Sequence, residues 1–156
     1  MHADTGVDFA EDARSLFREI AGQHALCGEF VENNNVEVLF NIPKQERLDF
    51  DVDLYLQNLD ELWMSCSHAT FCMFPYDNCS SEFHAAVNGL IEGRYRIVMY
   101  GLVGWPVFSR NVLQRPDGND WAVVAAEGCP GSLMSSIPYL KRKKMIVRNE
   151  RWSEAE

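Results

Sequence analysis

The order of apolar and polar positions along the chain predicts two helices and a series of strands. Between Asp8 and His24, the residues Phe9, Ala13, Leu16, Phe17, Ile20 and Ala21 recur at helical spacing, and Gly22 weakens the far end. Asp8, Glu11 and Asp12 fall in the first turn of this helix, where negative charge complements the dipole. A second apolar stripe, Phe83, Val87, Leu90 and Ile91, predicts a helix that Ser80 or Ser81 caps after a loop at Tyr76–Asn78, and that Gly93 ends.

Strand patterns fill the rest. Val36–Ile42 follows the polar turn Asn33–Asn35 and stops at Pro43. Leu48–Leu54 alternates strictly, so a strand there buries Leu48, Phe50, Val52 and Leu54 and aligns Asp49, Asp51 and Asp53 on its outer face. A turn at Gln57–Asp60 leads into Leu62–Cys66, and Phe71–Pro75 is apolar again. Arg94–Tyr100 is rich in β-formers, Gly101 and Gly104 let it bend, and Trp105–Pro106 starts another strand. The clearest local signal is a hairpin, Val107–Gln114 and Trp121–Ala126 joined through Pro116-Asp117-Gly118. An irregular loop from Gly128 to Ser136 precedes a last short strand at Lys144–Arg148.

These elements imply a single α+β domain over residues 1–156, with residues 1–6 and 150–156 frayed. The expected architecture is a mainly antiparallel sheet of about five to seven strands, with the two amphipathic helices on one face and the Tyr95–Ala126 meander at its centre. A chain of 156 residues buries roughly 70% of its unfolded surface, so no disulfide or metal staple is needed. The longest uncharged apolar run, Ile97–Phe108, is far short of the ~20 residues of a membrane-spanning helix, and Met1-His2-Ala3-Asp4 lacks the basic start of a signal peptide. A soluble, cytoplasmic protein is expected.

Charge changes the picture. The 23 acidic and 14 basic residues give a net charge of −9, unevenly spread: residues 1–78 hold 15 acidic and 4 basic residues, net −11, and the remainder is net +2. Such a surface repels nucleic acid and anionic lipid and speeds encounter with basic proteins. The Asp49, Asp51 and Asp53 face suits docking of Lys or Arg side chains, or protection of an edge strand from pairing; the spacing matches no calcium loop. The opposing run Lys141-Arg142-Lys143-Lys144 reads as a solvated strand end that could face the acidic half. Arg94-Tyr95-Arg96 interleaves charge and aromatic side chains, but no RNA-recognition signature accompanies it.

Candidate chemistry is sparse. Five cysteines, an odd number, fit a reducing compartment better than a disulfide framework. Cys66, His68, Cys72, Cys79 and His84 form the densest set of soft ligands, and zinc is the cofactor they would suit. No Cys-x2-Cys pair is present, so burial as core cysteines is the expected role, and no cofactor is expected. Cys79, just ahead of the second helix, could be a thiolate lowered by the dipole, with His24 or His68 brought over as its base. No phosphate-binding loop, dinucleotide fingerprint, nucleophile elbow or His-Glu-x2-His motif is present. Trp63 and Trp121 sit inside strand patterns and are expected in the core. Trp105 and Trp152 are expected at the surface, so Trp105 joins the three aspartates as a partner-contacting residue.

The function these features favour is a non-enzymatic acidic binding protein (an inhibitor, immunity-type protein or adaptor) that engages a basic protein partner and neither nucleic acid nor membrane. The alternative is a small metal- or thiol-dependent enzyme, or a ligand carrier, built on the Cys/His cluster. A third reading is an obligate homo-oligomer.

Overall fold

The computed structural model describes residues 8–103, 108–128 and 142–152, with the side chains of residues 108, 109 and 142 left out. Helix α1 (Ala10–Gln23) is followed by strands β1 (Glu29–Phe30), β2 (Val38–Ile42), β3 (Val52–Gln57), β4 (Glu61–Cys66) and β5 (Ala69–Met73). Then come helix α2 (Tyr76–Ile91) and strands β6 (Arg96–Leu102), β7 (Phe108–Asp117), β8 (Asp120–Gly128) and β9 (Arg142–Val147). The α+β class with antiparallel strands holds. The strands described here divide between two sheets, ordered β1-β2-β3-β4-β5 and β8-β7-β6-β9. The Tyr95–Ala126 meander therefore builds most of the second sheet instead of the centre of a single one.

The first sheet is a consecutive meander with strict alternation. Val38, Phe40 and Ile42, then Val52, Leu54 and Leu56, then Leu62, Met64 and Cys66 all point to one face and are buried. Helix α1 packs over β2 and β3, and α2 over β4 and β5, closing that face with Phe17, Ile20, Phe83, Val87 and Leu90. The two helices run in the same direction. Phe9 stacks on Tyr76 at 4.5 Å at their N-terminal ends, and the Gln23 carboxamide meets Asn88 at 3.1 Å near their C-terminal ends. The second sheet joins the same core through Ile97, Met99 and Leu113, and β5 lies against β8 and β7.

Several boundaries depart from the sequence pattern. α2 starts at Tyr76, four residues before the expected serine caps, because Pro75 holds φ −73° and ψ 158° at the N-cap and its carbonyl accepts the Asn78 and Cys79 amides. β3 starts at Val52. Leu48 forms a tight bridge with Gln45 instead, although Leu48 and Phe50 are buried as the alternation predicts. The β3–β4 hairpin turns at Asn58-Leu59, within the expected Gln57–Asp60 turn, and the β4–β5 hairpin turns at Ser67-His68, which the pattern did not mark; each pair has positive φ and no glycine. The β7–β8 hairpin turns at Gly118 (φ +60°) as expected, with Asp117 opposite Asp120.

The end of the described chain is tied down where fraying was expected from residue 150. The Asn149 carboxamide accepts the Asp49 amide at 3.1 Å and donates to the carbonyls of Arg47, at 2.9 Å, and Ile91. Glu150 and Arg151 donate their backbone amides to the Asp49 carboxylate at 2.9 and 3.3 Å. Trp152 lies between the Arg47 guanidinium, 4.0 Å away, and the edge of His24, 4.9 Å away.

Candidate functional site

Asp49, Asp51 and Asp53 are engaged within the molecule to different degrees. Asp49 is the anchor of the C-terminal segment and also pairs with the Arg151 guanidinium at 2.6 Å. Asp51 accepts the Lys44 amide at 2.6 Å, and Asp53 accepts the Asn41 carboxamide at 2.7 Å across the β2–β3 pair. Asp51, which is exposed, and Asp53 each accept one such bond, so the alternation holds for burial, and Asp49 is the one of the three committed to the C-terminal segment. Trp105 lies outside the described residues.

The Cys/His set does not converge. Among the described residues no three His, Cys, Asp or Glu side chains are grouped as metal ligands. Cys66 points into the core, whereas His68 sits exposed in the β4–β5 turn; the turn breaks the strand on which the two would have shared a face. Cys72 lies on the opposite face of the sheet from Cys66, across from Trp63. Cys79 is buried in the first turn of α2. Burial pushes the Cys66 thiol up to about 12, its hydrogen bond with Ser67 offsets part of this, and the carboxylates of Asp51 and Asp53 raise it further. Cys72 is also raised to about 12, by burial and then by Glu61 and Glu127. Cys79, expected to be lowered by the helix dipole, is raised by burial and by Glu82: desolvation outweighs the dipole. These thiols are held protonated, the opposite of what a nucleophile requires. His84 belongs elsewhere, facing α1.

The tryptophans also differ from expectation. Trp63 and Trp121 are half-buried on sheet surfaces, Trp63 stacked on Tyr55 at 5.9 Å and Trp121 under the Arg96 guanidinium at 3.8 Å. Trp152, expected at the surface, is likewise half-buried. Lys144, from the basic run, reaches the Tyr100 ring at 6.0 Å within its own sheet; Lys141 and the Arg142 side chain lie outside the described residues.

Two hollows bring candidate residues together. A cleft of about 610 Å³ lies where the start of β3 and the β4–β5 turn meet the second sheet, walled by Asp49, Ser67, Arg96, Trp121 and Arg148. Its charges are engaged: Arg96 bonds Gln114 at 2.9 Å, Arg148 donates to the Gly93 carbonyl, and Asp49 holds the C-terminal segment.

The second hollow, of about 460 Å³, is a groove between the helices. From α1 it takes Asp12, Leu16 and Glu19, a stripe at intervals of four and three, and from α2 it takes Tyr76, Ser80 and His84 at intervals of four. Glu19 is 3.7 Å from the His84 ring at one end. At the other, Tyr76 is only 8% exposed, and among the described residues its hydroxyl has no hydrogen bond. Burial, then Asp12 and Asp77, push this phenol up to about 12. His84 is the one lining group able to carry positive charge. The Arg14 guanidinium is nearby in sequence but pairs with Glu11 at 3.4 Å and lies over Phe30 at 5.1 Å. The sequence held a signal for this groove, since Asp12 and Glu19 share one helix face, but placing α2 four residues late removed Tyr76 from the opposite wall. Comparison with known proteins brings no match: no family model, no curated protein and no solved structure is similar to the chain.

Proposed function

We propose that the protein is a non-enzymatic binding protein, of the inhibitor, immunity or adaptor kind, that engages a basic protein through its acidic N-terminal half. The observation that carries this reading is uncompensated charge. Asp8, Asp12, Glu29, Glu32, Glu37 and Glu46 are exposed, and none of them has an ion pair among the described residues. Three of the four cations of the same half are turned to other uses: Arg14 pairs with Glu11, Arg18 lies over Phe30 at 4.8 Å and Arg47 lies over Trp152. A negative field left open in this way accelerates encounter with a positive surface and disfavours phosphate-bearing partners. Among the described residues no helix is long and apolar enough to cross a membrane. The four described cysteines are free thiols, which suits the reducing cytoplasm, where we place the protein.

The test is kinetic. A partner recovered by crosslinking should be basic, and replacing Asp8, Asp12, Glu29 and Glu32 together by their amides should slow its association by roughly tenfold at low salt while leaving dissociation nearly unchanged. An association rate indifferent both to salt and to these four replacements would overturn the reading.

A further inference from the structure

We propose that the groove between α1 and α2 is the docking site for a basic amphipathic helix of the protein partner, one cation seated between Asp12 and Tyr76, a second on Glu19, and an apolar side chain over Leu16. This rests on the acidic-surface reading above and specifies where and how the partner is held.

Three observations support it. Asp12 and Glu19 are seven residues apart on one helix, about 10 Å along its axis, which equals the separation of two side chains seven apart on a partner helix. Leu16 lies between them as the apolar floor, so the groove offers the alternation of charge and apolar surface that a helix with cations at its ends and one large apolar side chain between would complement. Tyr76 is 8% exposed and lines the groove, and among the described residues its hydroxyl makes no hydrogen bond. Its hydroxyl oxygen and the Asp12 carboxylate can both accept N–H bonds from one ammonium or guanidinium group.

The N-terminal ends of two parallel helices would by themselves repel a cation at the Asp12 end. Asp8, Glu11 and Asp12 in or beside the first turn of α1, and Asp77 in that of α2, reverse the sign there.

The probes are two alanine-rich helical peptides of about 16 residues with identical composition. One carries two lysines seven positions apart with a leucine midway; the other carries the lysines five apart, on divergent faces. Isothermal titration with the full chain at low salt should show the first binding at least about tenfold more tightly. Asp12→Asn and Glu19→Gln should each weaken that peptide about three- to tenfold, and Tyr76→Phe, which keeps the stacked ring, about threefold. If the two peptides bind equally, and Asp12→Asn costs no more than Glu29→Gln, the groove is not the site while the acidic-surface reading stands. If neither peptide binds at low salt, that reading falls and the groove with it.

Discussion

Gly93 is the residue whose replacement the structure forbids most firmly. It ends α2 at φ +66°, and a Cβ there would collide with the Asn149 carbonyl oxygen, a backbone atom that is itself fixed by the bonds of its own residue. Gly93→Ala is therefore expected to cost more than about 2 kcal/mol, combining the left-handed penalty with a clash that cannot relax cheaply. Urea denaturation measures this, and an unchanged midpoint would refute it. The cysteines permit a second prediction at the same scale. With two of the thiols raised to about 12, a disulfide reagent at pH 8 should label exposed Cys27 far faster than Cys66 or Cys72, as mapped by mass spectrometry. Labelling of Cys72 should rise about tenfold per pH unit from pH 8 towards its high titration point. Equal labelling of the three at pH 8 would contradict their placement. At this scale the sequence revealed burial well and partnership poorly: Asp49, Asp51 and Asp53 alternate with core residues as read, but Asn149, a hundred positions away from Asp49, is invisible to any local pattern.

Among the elements, the described C-terminal segment is the least expected. Residues 149–152 lack the apolar spacing of a helix or strand, yet they join the loop before β3 to the C-terminal end of α2 and, through Trp152, to His24 at the end of α1. Asn149→Ala removes one acceptor and two donations from a side chain only 2% exposed. The expected cost is about 2–3 kcal/mol, since each net bond is worth about 1 kcal/mol and the orphaned backbone groups add desolvation. Hydrogen exchange should localise the effect, with the Glu150 and Arg151 amides losing protection before β3 does; uniform loss across the sheet would mean that the segment is not a separate clasp. Helix boundaries show the same division. Apolar spacing located both helices, whereas the start of α2 depended on the geometry of Pro75, which placed Tyr76 inside the helix and on the wall of the groove.

On the scale of the whole molecule, the acidity of the chain reaches its interior. Tyr55, Cys66, Cys72, Tyr76 and Cys79 are all raised, first by burial and then by neighbouring charged groups, mostly carboxylates. The folded state keeps these protons at a pH where the unfolded chain releases them, so the native state binds more protons between about pH 9 and pH 12. Stability present in full below pH 8.5 should thus be lost progressively above about pH 9, seen as a falling urea midpoint. A midpoint constant from pH 8 to 11 would show that the groups titrate alike in both states.

Composition, periodicity and charge distribution are local sums, and they were enough to establish the α+β class, both helices, the β7–β8 hairpin and the uneven acidity. Long-range pairing is not a local sum. That β6 takes β9 as its neighbour while β5 packs against β8 without joining its sheet, that Asp49 is committed to residues 149–151, and that the Cys/His set scatters, all follow from which surfaces meet once apolar faces are buried together. The same burial aligned α1 with α2 and set Asp12 and Glu19 opposite Tyr76 and His84, because helices covering one sheet face must lie side by side, and the polar edges beside their buried stripes then become the walls of a groove.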